Sequence, residues 1–498
     1  MFRYNSPNSR WLIFCFGAAI SGCAAVGPNY VPPKLSPANV PTQWTSSTGV
    51  PVKDAAGPAS VVANTSWWRE LSDPVLDQLV ADAFSSSPTL EAAAAKLQVS
   101  RSAYVQANSS GLPSVDGGAT SDLTSGSASG KGISQSWLSL NAAWELDFFG
   151  AVRRGKEGAL ARQAVQEATL ADARVSLAAD VTDAYLSYRA CQSYAALSAQ
   201  DVTSRMATQK LTAASVKEGF TAPYQAIRSK ASVAEARTGL AGTKAYCERL
   251  ENQLTRLTGF SRPELMKVLA IQPTGLARLP VPKCFSIAIP SQALMQRPDM
   301  RAAERTLAAA SADIGLAEAD RYPRISLNGQ LGYSTTGASA IGTLSLGAWS
   351  LGPSVSLPIF DGGRRQAAVE IAKARYDQAY ADLKATARRA IQEIEDGLTR
   401  YAAANERAEN ARLSANDYQH YFDSVEVRFR EGASNLLELE DARRAMLSAQ
   451  QTLLSVYQER LQAWVTLNRA TGGGAQYDAD APASAGLPPE VAQAVPNE

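Results

Sequence analysis

Two stretches of 69 residues, Gly150 to Glu218 and Gly363 to Glu431, contain no proline at all. Each is rich in alanine, leucine and long polar residues, and each lacks the residue that breaks a helix interior, so each reads as one continuous helix. At 1.5 Å per residue such a helix is roughly 100 Å long. That far exceeds the ordinary globular helix of about three turns. A length of 498 residues would otherwise allow about three domains; two helices of this size point instead to one elongated body.

Both stretches occupy the same place in a repeated pattern. The segment "SPTLEAAAAKLQVSRSAYVQANSSGLPSV" from Ser87 pairs with "RPDMRAAERTLAAASADIGLAEADRYPRI" from Arg297. Pro88 and Pro113 match Pro298 and Pro323 at one constant offset, and Ala92, Ala93, Leu97 and Ala107 meet Ala302, Ala303, Leu307 and Ala317. The register continues through Phe149-Gly150 with Phe360-Asp361, Arg153-Arg154 with Arg364-Arg365, Glu218-Gly219 with Glu431-Gly432, and Thr258-Gly259 with Thr471-Gly472.

Within each unit the punctuation sets the elements. Pro88 and Pro298 open a helix, and Pro113 and Pro323 close it. Leu177, Val181, Ala184 and Tyr188 show the four-then-three spacing of a coiled-coil seam. Gly219 and Gly432 supply hairpin turns, after which helices of about Ala222 to Thr258 and Asn435 to Thr471 return. These are only about half as long; stacked on the helices Pro88 to Ser110 and Pro298 to Asp320 they nearly restore the length.

Between the short and long helices the period changes to two. "RISLNGQLGYS" places Ile325, Leu327, Leu331 and Tyr333 on one face and Arg324, Ser326, Asn328 and Gln330 on the other. "WSLGPSVSLPI" sets Trp349, Leu351, Val355, Leu357 and Ile359 against Ser350, Ser354 and Ser356. The first unit supplies "SWLSLNAAWEL", with Leu138, Leu140, Ala142, Trp144 and Leu146 on one face, and a weaker strand near Ser114 to Thr124. A soluble sheet with one dry face and a membrane barrel both follow from alternation alone. Strands of about ten residues with interface aromatics and Gly/Ser loops favour the barrel. Four strands do not close one, since the smallest examples need about eight, so several copies must assemble.

Ahead of this body, Arg3 and Arg10 precede an apolar run from Trp11 to Ile20 that suits a secretory signal and is too short to cross a bilayer. Ile20-Ser21-Gly22-Cys23 resembles a bacterial lipobox, which makes Cys23 the expected site of lipid (palmitate) attachment. Ala24, in place of Asp, by the same resemblance favours the outer membrane of a Gram-negative cell. No later run reaches the length of a membrane helix. The charge, 48 basic against 47 acidic residues with one histidine, points to no nucleic-acid partner.

The motifs taken together resemble TolC-type outer-membrane efflux proteins, in the lipoprotein (NodT-like) branch serving resistance-nodulation-division pumps. They run nearly end to end: Cys23 with "GPNYVPP", "WWRELSDPVLDQLV" from Trp67, "WELDFFG" from Trp144, "RPDM" from Arg297, "LPIFDGGRR" from Leu357 and "YQERLQAWVTLNRATGGG" from Tyr457. The resemblance implies a mainly α protein with a β-barrel part. It would be a homotrimer whose twelve-stranded barrel, four strands per chain, continues into a long periplasmic helical barrel with a mixed region around the waist, here including Arg262 to Arg297. It implies an exit duct that needs no cofactor, working with a periplasmic adaptor and an inner-membrane pump. The layout expected is a signal peptide at 1–22 and a Pro-rich anchored segment at 23–66. A first repeat follows at 67–280, with strands about 113–147 and long helices about 150–258. The second spans 281–474, with strands about 324–360 and helices about 363–471, and a disordered tail occupies 475–498.

By the same resemblance the periplasmic gate falls in "REGASNLLELEDARR". Leu437, Asp441 and Arg444 match constriction and linking positions, and Glu438 matches a further acidic one. Their spacing puts Leu437, Asp441 and Arg444 on one helical face. Three copies of Glu438 and Asp441 around an axis would make a cation-attracting ring; a plain solvated turn is the alternative. Glu440 receives no clear role.

Three further readings come from the residues themselves. Cys191 and Cys247 are equally distant from Gly219, so a hairpin sets them level. A disulfide closing a 57-residue loop, contributing roughly 4 kcal/mol, and a pair of buried thiols both fit; Cys284 is left over. Arg153, Arg154, Arg364 and Arg365 sit in first turns, where the helix dipole disfavours cations, so each needs a partner: inner-leaflet lipid phosphates or ordinary ion pairs. Finally, no nucleotide-binding loop, GxSxG or HExxH appears, and His420 lies alone beside Tyr418 and Tyr421. Glu145 and Asp147 read as rim residues of a strand. No enzyme and no metal site is expected. The rival to a duct is a coiled-coil structural or adaptor lipoprotein without a pore.

Overall fold

A computed structural model of the chain describes residues 25–33, 40–46, 52–53, 66–124, 133–271, 287–288, 290–338 and 342–475. In chain order the elements are β1 (Val52–Lys53), a 3-10 turn (Trp67–Leu71), α1 (Pro74–Ser86), α2 (Pro88–Ser109), β2 (Ser114–Thr124), β3 (Ile133–Leu146), α3 (Ala151–Lys217) and α4 (Pro223–Thr258). There follow α5 (Arg262–Leu269), β4 (Ile287–Ala288), α6 (Pro290–Gln296), α7 (Pro298–Ala319), β5 (Arg324–Ala338), β6 (Gly342–Ser356), α8 (Arg364–Arg430) and α9 (Leu436–Ala470).

The proline-free stretches are α3 and α8, each 67 residues of unbroken helix. Pro88 and Pro298 act as expected, each standing first in a helix, where the missing N–H is no loss, and Pro223 does the same for α4. Both hairpins turn on glycine in the left-handed region, Gly219 at φ 79° and Gly432 at φ 76°. At each, the next amide reaches back to the carbonyl five residues earlier, Phe220 to Ser215 at 3.0 Å and Ala433 to Arg428 at 2.8 Å. This pattern closes the last helical turn and needs positive φ at one residue. An added Cβ would meet no atom within 4 Å at either glycine, so conformation alone selects it.

The chain divides into two compact units, and the division falls inside α2, α3, α7 and α8. Unit one takes 1–34, 95–167 and 302–384. Its centre is an antiparallel sheet in the order β2-β3-β5-β6, with the central pair β3 and β5 contributed by different repeats. Unit two takes 35–94, 168–301 and 385–498. Its core gathers Trp67, Leu76, Tyr185, Leu254 and Trp464, with the rings of Trp67 and Trp464 edge to face at 5.2 Å. Asp73 caps α1 by accepting from Val75 and Leu76, and its other oxygen accepts from the Tyr185 hydroxyl at 2.7 Å. Trp44 is buried in the same core, and the amides of Thr45 and Ser46 both donate to Glu395, at 2.8 and 2.9 Å. The expected seam is present: Val181, Ala184 and Tyr188 are buried and Leu177 packs beside them. β1 and β4 form a short parallel pair in this unit.

Candidate functional site: a sheet face, a junction and a hairpin tip

The register of the sheet brings the alternating apolar residues of both repeats to one face. Leu138 lies opposite Tyr333, Leu140 opposite Leu331, Trp144 opposite Leu327, and Leu331 opposite Trp349. All but the half-buried Leu327 are exposed: Leu140 by 51%, Leu331 by 56%, Trp349 by 78%. The opposite face is polar and hydrogen-bonded across strands, through Ser326 to Ser354 at 2.9 Å and Asn328 to Ser354 at 2.8 Å. A contiguous apolar face of this extent is a surface for lipid or another chain. Strands β2 and β6 have one neighbour each, so the sheet has two open edges. Among the described residues no helix is long and apolar enough to cross a membrane.

In the same unit, α2, α3, α7 and α8 wall an open groove of about 850 Å³. Alanine and valine side chains are interrupted there by Lys96, Arg162, Asp313, Arg375 and Asp382. Arg162 and Asp313 form an ion pair at 2.5 Å.

At the strand-to-helix junctions the arginine pairs find partners within the chain. Asp147 accepts from the amides of Val152 and Arg153, at 3.1 and 3.0 Å, and from Arg153 Nε at 3.1 Å. Asp361 does the same in the second repeat, accepting from the amides of Gly363 and Arg365 and from the Arg365 guanidinium at 2.9 Å. A carboxylate at a helix start satisfies orphan donors and offsets the unfavourable cation beside it. Asp147 is therefore a helix cap and not merely a rim residue. Arg364 is exposed.

Arg154 takes the ion-pair alternative, with Glu157 at 2.8 Å, and adds further bonds. It is 4% exposed, and its guanidinium donates to Val26 O, Gly27 O, Asn29 Oδ1 and Glu157. A buried, engaged guanidinium presents nothing to a lipid phosphate, so this contact is excluded for Arg154. What it holds is the N-terminal segment, which also donates from Val26 N to Phe149 O at 3.1 Å and from the Tyr30 hydroxyl to Glu304 at 2.7 Å. Burial and the Glu304 carboxylate both push the Tyr30 hydroxyl pKa up, keeping the donor protonated. The crossing is close: a Cβ on Gly27 would lie 2.4 Å from Gly315 Cα, and one on Gly315 would lie 2.8 Å from Arg154 Nε. Cys23, the expected lipid site, lies outside the described residues, as do Cys284, the signal stretch and the tail after Ala475.

At the second hairpin tip Asn435 caps α9, its side chain accepting from the Glu438 amide at 2.9 Å. Leu439, Ala442 and Met446 turn inward against Phe422 and Val425, and Leu436 is buried on the same stripe of an amphipathic helix. Leu437, Asp441 and Arg444 are exposed, and Asp441 and Arg444 pair with each other along the helix. Glu438 points back into the turn, accepting from Ser434 Oγ at 2.6 Å and facing Arg428 at 3.5 Å. The expected four residues are thus a face of three plus one carboxylate drawn into the turn. Sequence reasoning left Glu440 unassigned and passed over Arg443; both are buried. Their spacing from Leu436 and Leu439 was the available signal, because it places them on the inward stripe. In the first hairpin, Cys191 and Cys247 are bonded, with S–S 2.00 Å. Among the described residues no group of three or more side chains is placed to hold a metal ion.

A four-stranded sheet with an apolar face and two open edges, followed by two long helical hairpins, defines a membrane-channel protein. The chain belongs to the outer membrane efflux protein family, whose pattern matches residues 79–260 and again residues 289–473. Nodulation protein T of Rhizobium leguminosarum bv. viciae is 31% identical over 469 residues, 91% of each chain. The antibiotic efflux pump outer membrane protein ArpC of Pseudomonas putida is 29% identical over 464 residues, 91% of this chain and 93% of the relative. Among solved structures the outer-membrane channel OprN superposes with a TM-score of 0.79 at 30% identity, covering 90% of this chain and 99% of that one. The chain is accordingly an outer-membrane protein that extends into the periplasm.

Proposed function

We propose that this chain is the exit duct of a tripartite efflux system, passively conducting substrates that an inner-membrane resistance-nodulation-division pump delivers through a periplasmic adaptor. The observation that carries the reading is the incomplete sheet: an apolar face exposed across four strands and two unpaired edges. Three copies joined edge to edge make a twelve-stranded barrel whose apolar face meets lipid and whose serine-rich face lines water. The structural lipoprotein without a pore has no use for such a face.

Helices of 67 residues supply roughly 100 Å of wall, enough to carry a conduit across the periplasm. The mixed groove between α2, α3, α7 and α8 suits an aqueous wall. The lipid anchor at Cys23 adds a second attachment to the bilayer beside the barrel. Leu437, Asp441 and Arg444 form the constriction at the α8–α9 tip. There Asp441 supplies the exposed carboxylate beside Arg444, and Glu438, tied to Ser434, contributes less.

Single-channel conductance of the purified protein in planar bilayers tests this. Small cation-selective steps are expected, enlarged and less selective in Asp441→Ala and little changed in Glu438→Ala. Absence of steps from well-inserted trimers would return the structural lipoprotein to first place.

A further inference from the structure

The first turns of α9 carry two ion pairs of the same spacing, offset by one residue and so facing different ways. Asp441–Arg444 faces solvent, with side chains 55% and 63% exposed; Glu440–Arg443 faces inward, at 10% and 1%. The inward pair is bonded to every other long helix near it. Arg443 donates to Glu440 and, at 2.8 Å, to Thr208 Oγ1 on α3, and its guanidinium lies 5.5 Å from the Phe422 ring on α8. Glu440 accepts from Ser232 Oγ on α4 at 3.3 Å and lies 3.8 Å from Arg205 on α3. Arg205 is itself held by Asp201 at 2.9 Å and by Ser232 at 2.6 Å. One donor, Arg443 Nε, is buried with no partner.

We propose that Glu440 and Arg443 are positioning residues of the duct, forming a clasp that ties the second hairpin to the first within one protomer and fixes the rotation of α9. The surrounding contacts are apolar, Leu439, Ala442 and Met446 against Phe422 and Val425, and burial of this kind is non-directional. A buried ion pair brings little net stability over apolar side chains of the same volume, and its best-attested use is to specify register. Here the register has a consequence: successive residues of a helix differ by about 100°, so a small turn of α9 moves Leu437, Asp441 and Arg444 off the face they share. The clasp also spans the two hairpins, so a turn of α9, or its movement away from α3 and α4, breaks the bonds from Arg443 to Thr208 and from Ser232 to Glu440.

The inference rests on reading Leu437, Asp441 and Arg444 as the constriction, and the experiment separates the two. The full-length protein is purified as SDS-resistant trimers and its single-channel conductance and cation selectivity are recorded in planar bilayers. Replacing the pair by apolar side chains of similar size, Glu440→Leu with Arg443→Met, is expected to raise conductance severalfold and to broaden its distribution. Arg443→Lys, which keeps a cation on Glu440, is expected to return it close to the parent. Breaking the exposed pair Arg407–Glu459 with Arg407→Gln, another link between α8 and α9, is expected to change nothing. Should the double variant fail to assemble, Thr208→Val removes one acceptor alone and is expected to give a smaller rise. Parent-like conductance in both the double variant and Thr208→Val overturns the clasp. If Asp441→Ala alone alters conductance, the clasp falls and the constriction stands. If the clasp variants alone alter it, the clasp stands and the constriction lies elsewhere on the tip.

Discussion

Cys191 on α3 and Cys247 on α4 are bonded across the first hairpin, with Cα atoms 5.6 Å apart and 56 positions apart in sequence. The second hairpin contains no cysteine in either helix. The cross-link restrains the unfolded chain, so replacing both by alanine is expected to lower stability by about 2–4 kcal/mol. Thermal melts of parent and variant with and without reductant check this, the reductant moving only the parent. Peptide mapping under non-reducing conditions should recover residues 191 and 247 in one cross-linked species.

The apolar sheet face makes a sharp prediction because its residues sit in register. Leu140 and Leu331 are direct cross-strand partners between the two repeats. A positive charge at the middle of a lipid-facing strand costs about 2–4 kcal/mol, so Leu331→Arg is expected to abolish heat-modifiable trimers in the membrane fraction. Gln330→Arg, one residue along and on the polar face, is expected to leave them intact. Equal loss in both would show that the sheet does not present this face to lipid.

Arg154 is the post to which the N-terminal segment is tied. Arg154→Ala removes charge-assisted bonds to two carbonyls and one amide oxygen and is expected to cost about 2 kcal/mol. The visible effect should be local: faster hydrogen exchange and proteolysis at residues 26–30 with helix content unchanged. Gly315→Val, which drives a side chain into the arginine, should do the same.

Asp172 lies in a polar pocket of about 470 Å³ with Arg297, Asp299, Glu393 and Arg469. Burial, helped by the Asp299 charge, pushes its carboxyl above the usual range against the pull of Arg469 and Arg297. A raised folded-state pKa means that its contribution to stability is fully present below the unfolded value of about 3.9 and is lost as pH rises through the folded value. Asp172→Asn is therefore expected to raise the melting temperature at pH 8 and to leave it unchanged in acid. A variant less stable than the parent at pH 8 would mean that the ionised carboxylate is stabilised by Arg469 and Arg297.

Much of this architecture was legible because it is periodic. Proline marked the starts of α2 and α7, glycine marked both hairpin turns, and period-two alternation marked three strands of the sheet, beside a weaker one at Ser114. What stayed hidden depends on pairs far apart in the chain. Arg154 meets residues near the N-terminus, Arg443 meets Thr208, and Tyr30 meets Glu304. No local pattern encodes such meetings, because a charged residue reads as solvated until the helix beside it is known. The arginines at the helix starts were half legible: the dipole demanded a partner, and Asp147 and Asp361 stood only a few residues upstream.

The strand order has a last consequence. One outer edge of the sheet, β2, belongs to the first repeat, and the other, β6, belongs to the second. In a ring of copies about one axis, the β6 edge of each therefore meets the β2 edge of the next, a head-to-tail arrangement that can close. A chain carrying one repeat would need twice as many copies for the same circumference, and every seam would be chemically the same. Carrying two repeats in one chain makes alternate seams covalently continuous and frees the halves to differ: a disulfide spans one hairpin, and a buried ion pair lies near the tip of the other.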